Sequence, residues 1–180
     1  MTRPASARRL AIWMNGALVG TWTLGRNNTH AFAYDDRWLS SAAARPISLS
    51  MPLRPSAAPY TGPVVEAWFD NLLPDSAAIR SRIQARFGAA SGRAFDLLAE
   101  VGRDCVGAVQ LLPEGDSPVG IDRIEGEPLD EEGVADILRS TPAATGIART
   151  DDDEFRISLA GAQEKTALLW HDRRWHRPSG

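Results

Sequence analysis

Residues 8–24 read RRLAIWMNGALVGTWTL, two apolar runs joined by Asn15-Gly16. Asn-Gly suits the two-residue β-turn that needs positive φ at both positions and whose twist matches the strands on either side. The stretch predicts a β-hairpin, so the chain begins as antiparallel sheet. Trp13 and Trp22, on adjoining strands, are expected to face each other across it. A third strand is predicted over 29–34, with Asp35 or Asp36 capping a short helical turn that carries Trp38 and Leu39. Ile47–Ser50 reads as a further strand, confined to an edge by Pro52 and Pro55. Residues 55–63, with three prolines and a glycine, read as a loop.

Three short helices are predicted next. Val64, Trp68 and Leu72 recur at helical spacing, with Val65 and Phe69 widening the stripe and Pro74 ending it. Asp75 is expected to cap a second helix carrying Ile79, Ile83 and Phe87 and ending at Gly88. Ser91 is expected to cap a third, with Phe95, Leu98 and Val101 on one side. Residues 105–113, CVGAVQLLP, then read as a buried strand.

The length of 180 residues suits one domain, or one domain plus part of another. A hydrophobic share of 43% supplies a core, and a net charge of -3 exerts no global pull on nucleic acid or anionic lipid. A single cysteine, Cys105, excludes an internal disulfide, and His30, His171 and His176 have no ligand-like spacing with it. No apolar run approaches the ~20 residues of a membrane-spanning helix. No apolar stretch of signal-peptide length follows the basic start, Met1 to Arg9. We expect a cytoplasmic protein with no membrane contact.

From Glu114 to Asp136 there are nine acidic residues and only Arg123 to oppose them. This reads as a solvated connection ending in a helix near 130–139, with a second linker over 140–154. A new strand pair is predicted over 155–170, FRISLAGAQEKTALLW, and residues 172–175 look like a turn into another strand.

The tip of that pair holds the only lysine of the chain, Lys165. Ala160, Gly161 and Ala162 let backbone N–H groups approach an anion closely, and a lysine adds a compact cation. A Walker A loop would need glycine where Glu164 stands. Kinases cover ATP phosphates with a glycine-rich loop between two strands, and here one of the glycines is present. From spacing alone, a phosphate loop and an ordinary tight hairpin with an exposed lysine both remain open. Residues 76–101 can also be read as a helix-turn-helix, but Asp96 and Glu100 give its second helix the wrong charge for a groove. Arg80, Arg82 and Arg86 then read as a solvated face. Asp70 and Asn71 can be read as a metal or acid/base pair, or as groups satisfying a helix end.

Four stretches in order, SLSMPL (48–53), WFDNLLPD (68–75), FDLLAEVGRDCVGAV (95–109) and ISLAGAQEKTALL (157–169), resemble the signature segments of the HipA family. The first hairpin, IWMNGALVGTW, resembles that of the family too. These are kinase toxins of bacterial type II toxin–antitoxin modules. The resemblance implies a serine/threonine kinase related in fold to protein and lipid kinases. It implies ATP with Mg2+ as cofactor, a translation-related substrate of the tRNA synthetase class, and a HipB-like antitoxin through which alone DNA is met. Leu159, Ala160, Gly161, Ala162, Gln163, Glu164 and Lys165 would then form the nucleotide-phosphate loop, and Ser158 an autophosphorylation site.

The catalytic aspartate, metal ligands and second nucleotide lysine of that pattern have no counterpart in these 180 residues, so no catalytic or metal residue is assigned. The expected fold is α+β, a mainly antiparallel sheet with a cluster of short helices, followed by the first strands of a kinase-like N-lobe. The expected organisation is an N-terminal subdomain (1–113), an acidic linker with one helix (114–150) and the start of the kinase lobe (151–180). The chain alone is expected to be inactive. A separately encoded kinase half is one expected partner, and a non-catalytic, antitoxin-like interaction module is the alternative.

Overall fold

The computed structural model describes residues 7–105, 108–121, 123–124, 126–140 and 167–178. Five strands, β1 (Arg8–Met14), β2 (Ala17–Leu24), β3 (His30–Tyr34), β4 (Tyr60–Thr61) and β5 (Val109–Pro113), form one antiparallel sheet in the order β4-β3-β2-β1-β5. The β1–β2 turn is the predicted one, with positive φ at Asn15 (48°) and Gly16 (78°). The α+β expectation holds.

Register decides which side chains enter the core. Leu10 pairs with Trp22 and Ile12 with Gly20, but Trp13 pairs with Leu18. Val19 is therefore the extra residue of a β-bulge. The bulge lets Val19 and Trp22, three positions apart, both be fully buried. It also separates the two tryptophans expected to face each other: Trp22 lies in the core, while Trp13 pairs with Leu18 and with Gln110 of β5.

Helices cover one face of this sheet. After the short α1 (Asp36–Leu39), capped by the Asp35 carboxylate accepting from the Arg37 N–H, come α2 (Pro63–Asp70), α3 (Ala77–Phe87) and α4 (Ala94–Val101). The α3 cap is Ser76, which accepts from the Ile79 N–H, one residue later than the expected Asp75. Ser91 lies two residues ahead of the α4 cap position, Arg93. Its hydroxyl accepts from the Arg93 N–H and donates to Asp96. Phe69 and Val65 of α2, Ile83 of α3 and Phe95, Leu97, Leu98 and Val101 of α4 pack on Leu10, Ile12, Val19, Trp22 and Phe32. Trp22 and Phe69 stack nearly parallel at 3.9 Å, and Phe95 leans on Trp22 at 4.7 Å. Burying several large side chains at about 1.5–3 kcal/mol each is the main stabilising contribution here.

Ile47–Ser50 forms no strand. The chain there makes a turn closed by a Ser48–Met51 bridge. Within the stretch read as loop, Tyr60 and Thr61 add a short edge strand beside Ala31 and Phe32.

A second, three-stranded sheet has the order β6-β8-β7: β6 (Gly126–Leu129), β7 (Leu169–His171) and β8 (Arg174–Pro178). Residues 114–150, read as a connection with one helix, hold that helix, α5 (Glu131–Ser140), and the unexpected β6. Among the described residues no helix is long and apolar enough to cross a membrane.

Candidate functional site

The second sheet is the element nearest in sequence to the expected phosphate loop. Strand β7 begins four residues beyond Lys165, and the turn Asp172-Arg173 returns the chain into β8 with positive φ at both positions (49° and 62°). This is the turn into a further strand anticipated at 172–175. Trp170 pairs with Trp175, their rings edge to face at 5.0 Å, and Leu129 of β6 lies across from Trp175. Both tryptophans remain exposed. Ser158, Leu159, Ala160, Gly161, Ala162, Gln163, Glu164 and Lys165 lie outside the described residues. The described residues that follow them are Ala167 and Leu168, then strand β7 with its partner β8, on which β6 also pairs.

The other candidate residues serve the fold. Asp70 is held by Arg80, whose two terminal nitrogens reach its carboxylate oxygens at 2.6 and 3.0 Å while Nε donates to the Pro74 carbonyl at 2.7 Å. That pairing raises the Arg80 pKa further, through the Asp70 hydrogen bond. Asp70 is therefore committed to closing the α2–α3 connection, and Arg80 is not part of a solvated face. Among the described residues no cluster of three His, Cys, Asp or Glu side chains is placed to hold a metal.

In the helix-turn-helix reading α4 would be the groove helix. Five of its eight residues, Ala94, Phe95, Leu97, Leu98 and Val101, are buried in the core. Its Asp96 is engaged by Arg8 and Ser91. Burial opposes the charge of that carboxylate, but the Ser91 hydroxyl and the Arg8 guanidinium prevail and hold its pKa below the ordinary value. Cys105 is buried beside a cleft of about 240 Å³ lined also by Asn15, Arg103, Gln110 and Ile121. His30 is buried too, its Nδ1 accepting from Trp22 Nε1 at 3.2 Å.

One constellation had no sequence signal. The Tyr34 hydroxyl donates to the Met51 carbonyl at 2.5 Å and accepts from the Ile47 N–H at 3.0 Å, clasping both ends of the 47–51 turn. Burial pushes the Tyr34 phenol up, which keeps it a neutral donor. The Tyr60 hydroxyl donates to the Pro52 carbonyl at 2.7 Å, and the Arg54 guanidinium stacks 3.2 Å above the Tyr60 ring. Only the strand parity of Tyr34 was readable; its partner 17 residues away was not.

Comparison with known proteins gives this arrangement its kin. The sequence model of the HipA N-terminal domain matches residues 10–112, which covers the five-stranded sheet up to β5 and all the helices packed on it. The chain belongs to the HipA N-terminal domain family. Two proteins of Sinorhizobium fredii (strain NBRC 101917 / NGR234) are similar beyond that domain. The one named "Putative kinase Y4mE" is 35% identical over 170 residues, 93% of this chain and 39% of its own length. The one named "Putative kinase Y4dM" is 30% identical over 171 residues, 92% of this chain and 36% of its own. The chain thus spans under two-fifths of the length of these relatives. Among solved structures, HipA of the Shewanella oneidensis MR-1 toxin–antitoxin system, determined with HipB and operator DNA, aligns over 92% of this chain and 37% of its own. The TM-score is 0.63 at 23% identity, a likeness of fold.

Proposed function

We propose that these residues are the N-terminal part of a HipA-like serine/threonine kinase toxin, comprising its N-terminal domain and the entry to its ATP-binding lobe. One observation supports this above others. The family domain is followed by a second small sheet whose strand β7 begins at Leu169, the last residue of the motif ISLAGAQEKTALL. A loop between strands is where kinases cover the phosphates of ATP.

In this reading the backbone N–H groups of Leu159–Glu164 and the Lys165 ammonium bind the phosphates of ATP, which the complete kinase uses with Mg2+. Ser158 is the switch. A phosphate there adds a charge of about -1.5 to -2 at the root of the loop, where it competes with the nucleotide. The complete kinase modifies a translation-related protein of the tRNA synthetase class, and a HipB-like antitoxin that binds DNA restrains it. The protein works in the cytoplasm. The kinase and toxin–antitoxin parts of this reading are supported by the relatives: two carry the name "Putative kinase", and the fold match comes from a toxin–antitoxin complex.

The 180 residues by themselves are not expected to transfer phosphate. Purified chain incubated with γ-labelled ATP and Mg2+ should remain unlabelled. The longer protein, or the chain mixed with a separately encoded kinase half, should label at Ser158, and Lys165→Ala should abolish that label. Labelling of the isolated chain would overturn the division of labour, and unaltered labelling of the Lys165 variant would overturn the loop assignment.

A second reading is a non-catalytic, antitoxin-like interaction module. The five-stranded sheet and its helices complete their own core by Pro113, which favours a unit able to act without a catalytic lobe. Binding of the chain to a HipA-type kinase with loss of that kinase's activity would favour it.

A further inference from the structure

The turn that the two tyrosines clasp presents an exposed leucine. Leu49, at its tip, is 96% exposed, and Leu53 beyond it is 38% exposed, while Met51 between them is wholly buried. The turn is held from inside by the Met51 N–H donating to the Ser48 carbonyl (3.0 Å) and the Ser50 N–H donating to the Ser48 hydroxyl (3.1 Å). It is held from below by Tyr34 at Ile47 and Met51, and at its exit by Tyr60 on Pro52. Pro46, Pro52 and Pro55 stiffen the approaches. An exposed leucine on a mobile loop is unremarkable surface. One on a turn fixed by two tyrosines has already lost the conformational entropy that binding would otherwise remove.

Charge narrows the choice of partner. From position 37 to 65 the sequence holds Arg37, Arg45 and Arg54 and no acidic residue, within a chain of net charge -3. None of the three arginines makes an ion pair among the described residues. Arg45 lies over the Trp38 ring at 5.9 Å and Arg54 over Tyr60, so both guanidinium groups are placed by aromatic contacts. A phosphate backbone would use the arginines but gain nothing from the leucine, whereas a protein surface uses both.

We propose that the Ile47–Leu53 turn docks an acidic protein surface, Leu49 entering an apolar pocket on the partner and Arg45 and Arg54 meeting carboxylates around it. This proposal does not depend on the kinase reading.

The test replaces Leu49 by p-benzoyl-phenylalanine in the protein expressed in its own host, followed by irradiation and mapping of the adduct by mass spectrometry. The expected adduct lies on another protein, at an apolar residue flanked by Asp or Glu. Binding of that partner to the purified chain should weaken roughly tenfold in Leu49→Ser, an effect that only a minority of interface residues produce when truncated. It should also weaken several-fold in the Arg45→Ala, Arg54→Ala double variant and between about 50 and 500 mM salt. Val119→Ser, at a site 81% exposed, is the control and should bind as the parent does. Since Leu49 touches solvent almost all round, Leu49→Ser should keep the parental melting temperature, so lost binding is not lost fold. An adduct on a second copy of the chain, an adduct on nucleic acid, no adduct, or parental affinity in Leu49→Ser would each overturn the proposal.

Discussion

Arg80 holds the Asp70 carboxylate with both arms of its guanidinium, ten residues along the chain, and spends its remaining Nε–H on the Pro74 carbonyl between them. With a further bond from a terminal nitrogen to the Asp70 carbonyl at 3.3 Å, the planar fork makes four bonds that a lysine could not arrange. Arg80→Lys is therefore expected to behave like Arg80→Ala, each lowering stability by about 1–2 kcal/mol, since the Asp70 side chain is partly solvated. Urea unfolding measures this. A lysine variant as stable as the parent would show that charge alone suffices.

Asp96 ties β1 to α4 through Arg8 and Ser91. Its folded pKa is depressed, so the stability it contributes is present above the unfolded value of about 3.9 and lost as pH falls through the folded one. Asp96→Asn should be less stable at pH 7 by about 2 kcal/mol and should show a smaller stability loss below pH ~4. Denaturation midpoints between pH 7 and 2.5 test it. Parallel curves for the two proteins would contradict the assignment.

The contrast between what was and was not legible follows from range. The Asn15-Gly16 turn, the three helices and the Asp172-Arg173 turn are set by neighbours within a few residues, and each appears close to where the pattern put it. Ile47–Ser50 has the alternation of a strand. However, the Tyr34 hydroxyl takes the Ile47 N–H and the Met51 carbonyl that a strand would offer to a ladder. β6 contains Gly126 and Pro128 and lies in an acidic stretch, all local marks of a loop; its partner is nearly fifty residues downstream. The two-residue turn already sets Trp13 opposite Leu18, and the Val19 bulge then moves Trp22 to the other face, so the expected Trp13–Trp22 pair does not form. Of the candidate site, the strand Leu169–His171 and the turn after it were readable, while the motif around Lys165 lies outside the described residues. The tyrosine-held turn was not, because a hydroxyl's distant carbonyl leaves no trace in spacing.

The Trp22 indole N–H points at His30 Nδ1, which requires that nitrogen to be unprotonated. That geometry calls for the Nε2–H tautomer, its Nε2 facing a Glu66 carboxylate oxygen at 3.6 Å. Nitrogen-15 NMR of the ring reads this directly, and an Nδ1–H tautomer would refute it. His30→Phe should fill the space but orphan the buried indole N–H, at a cost of about 1–3 kcal/mol.

At Gly20 the backbones of β2 and β3 run too close for a side chain. A Cβ there would lie 2.2 Å from the Ala33 carbonyl oxygen and 2.9 Å from the Phe32 ring. Gly20→Ala should destabilise by about 3 kcal/mol, the upper part of the range for overpacking. Hydrogen exchange should show the loss concentrated in the β2–β3 pairing. Protection equal to the parent's in those amides would mean the strands shift without strain.

The strand order of the second sheet has a consequence in time. On a ribosome adding about 5–20 residues per second, β6 waits on the order of several seconds for the strand it must pair with, β8, to be made. The first sheet waits for nothing beyond Pro113. During that interval the N-terminal unit can fold and present its leucine-tipped turn while β6 is still without its partner strand. A partner that recognises this turn would therefore meet the unit before the second sheet exists.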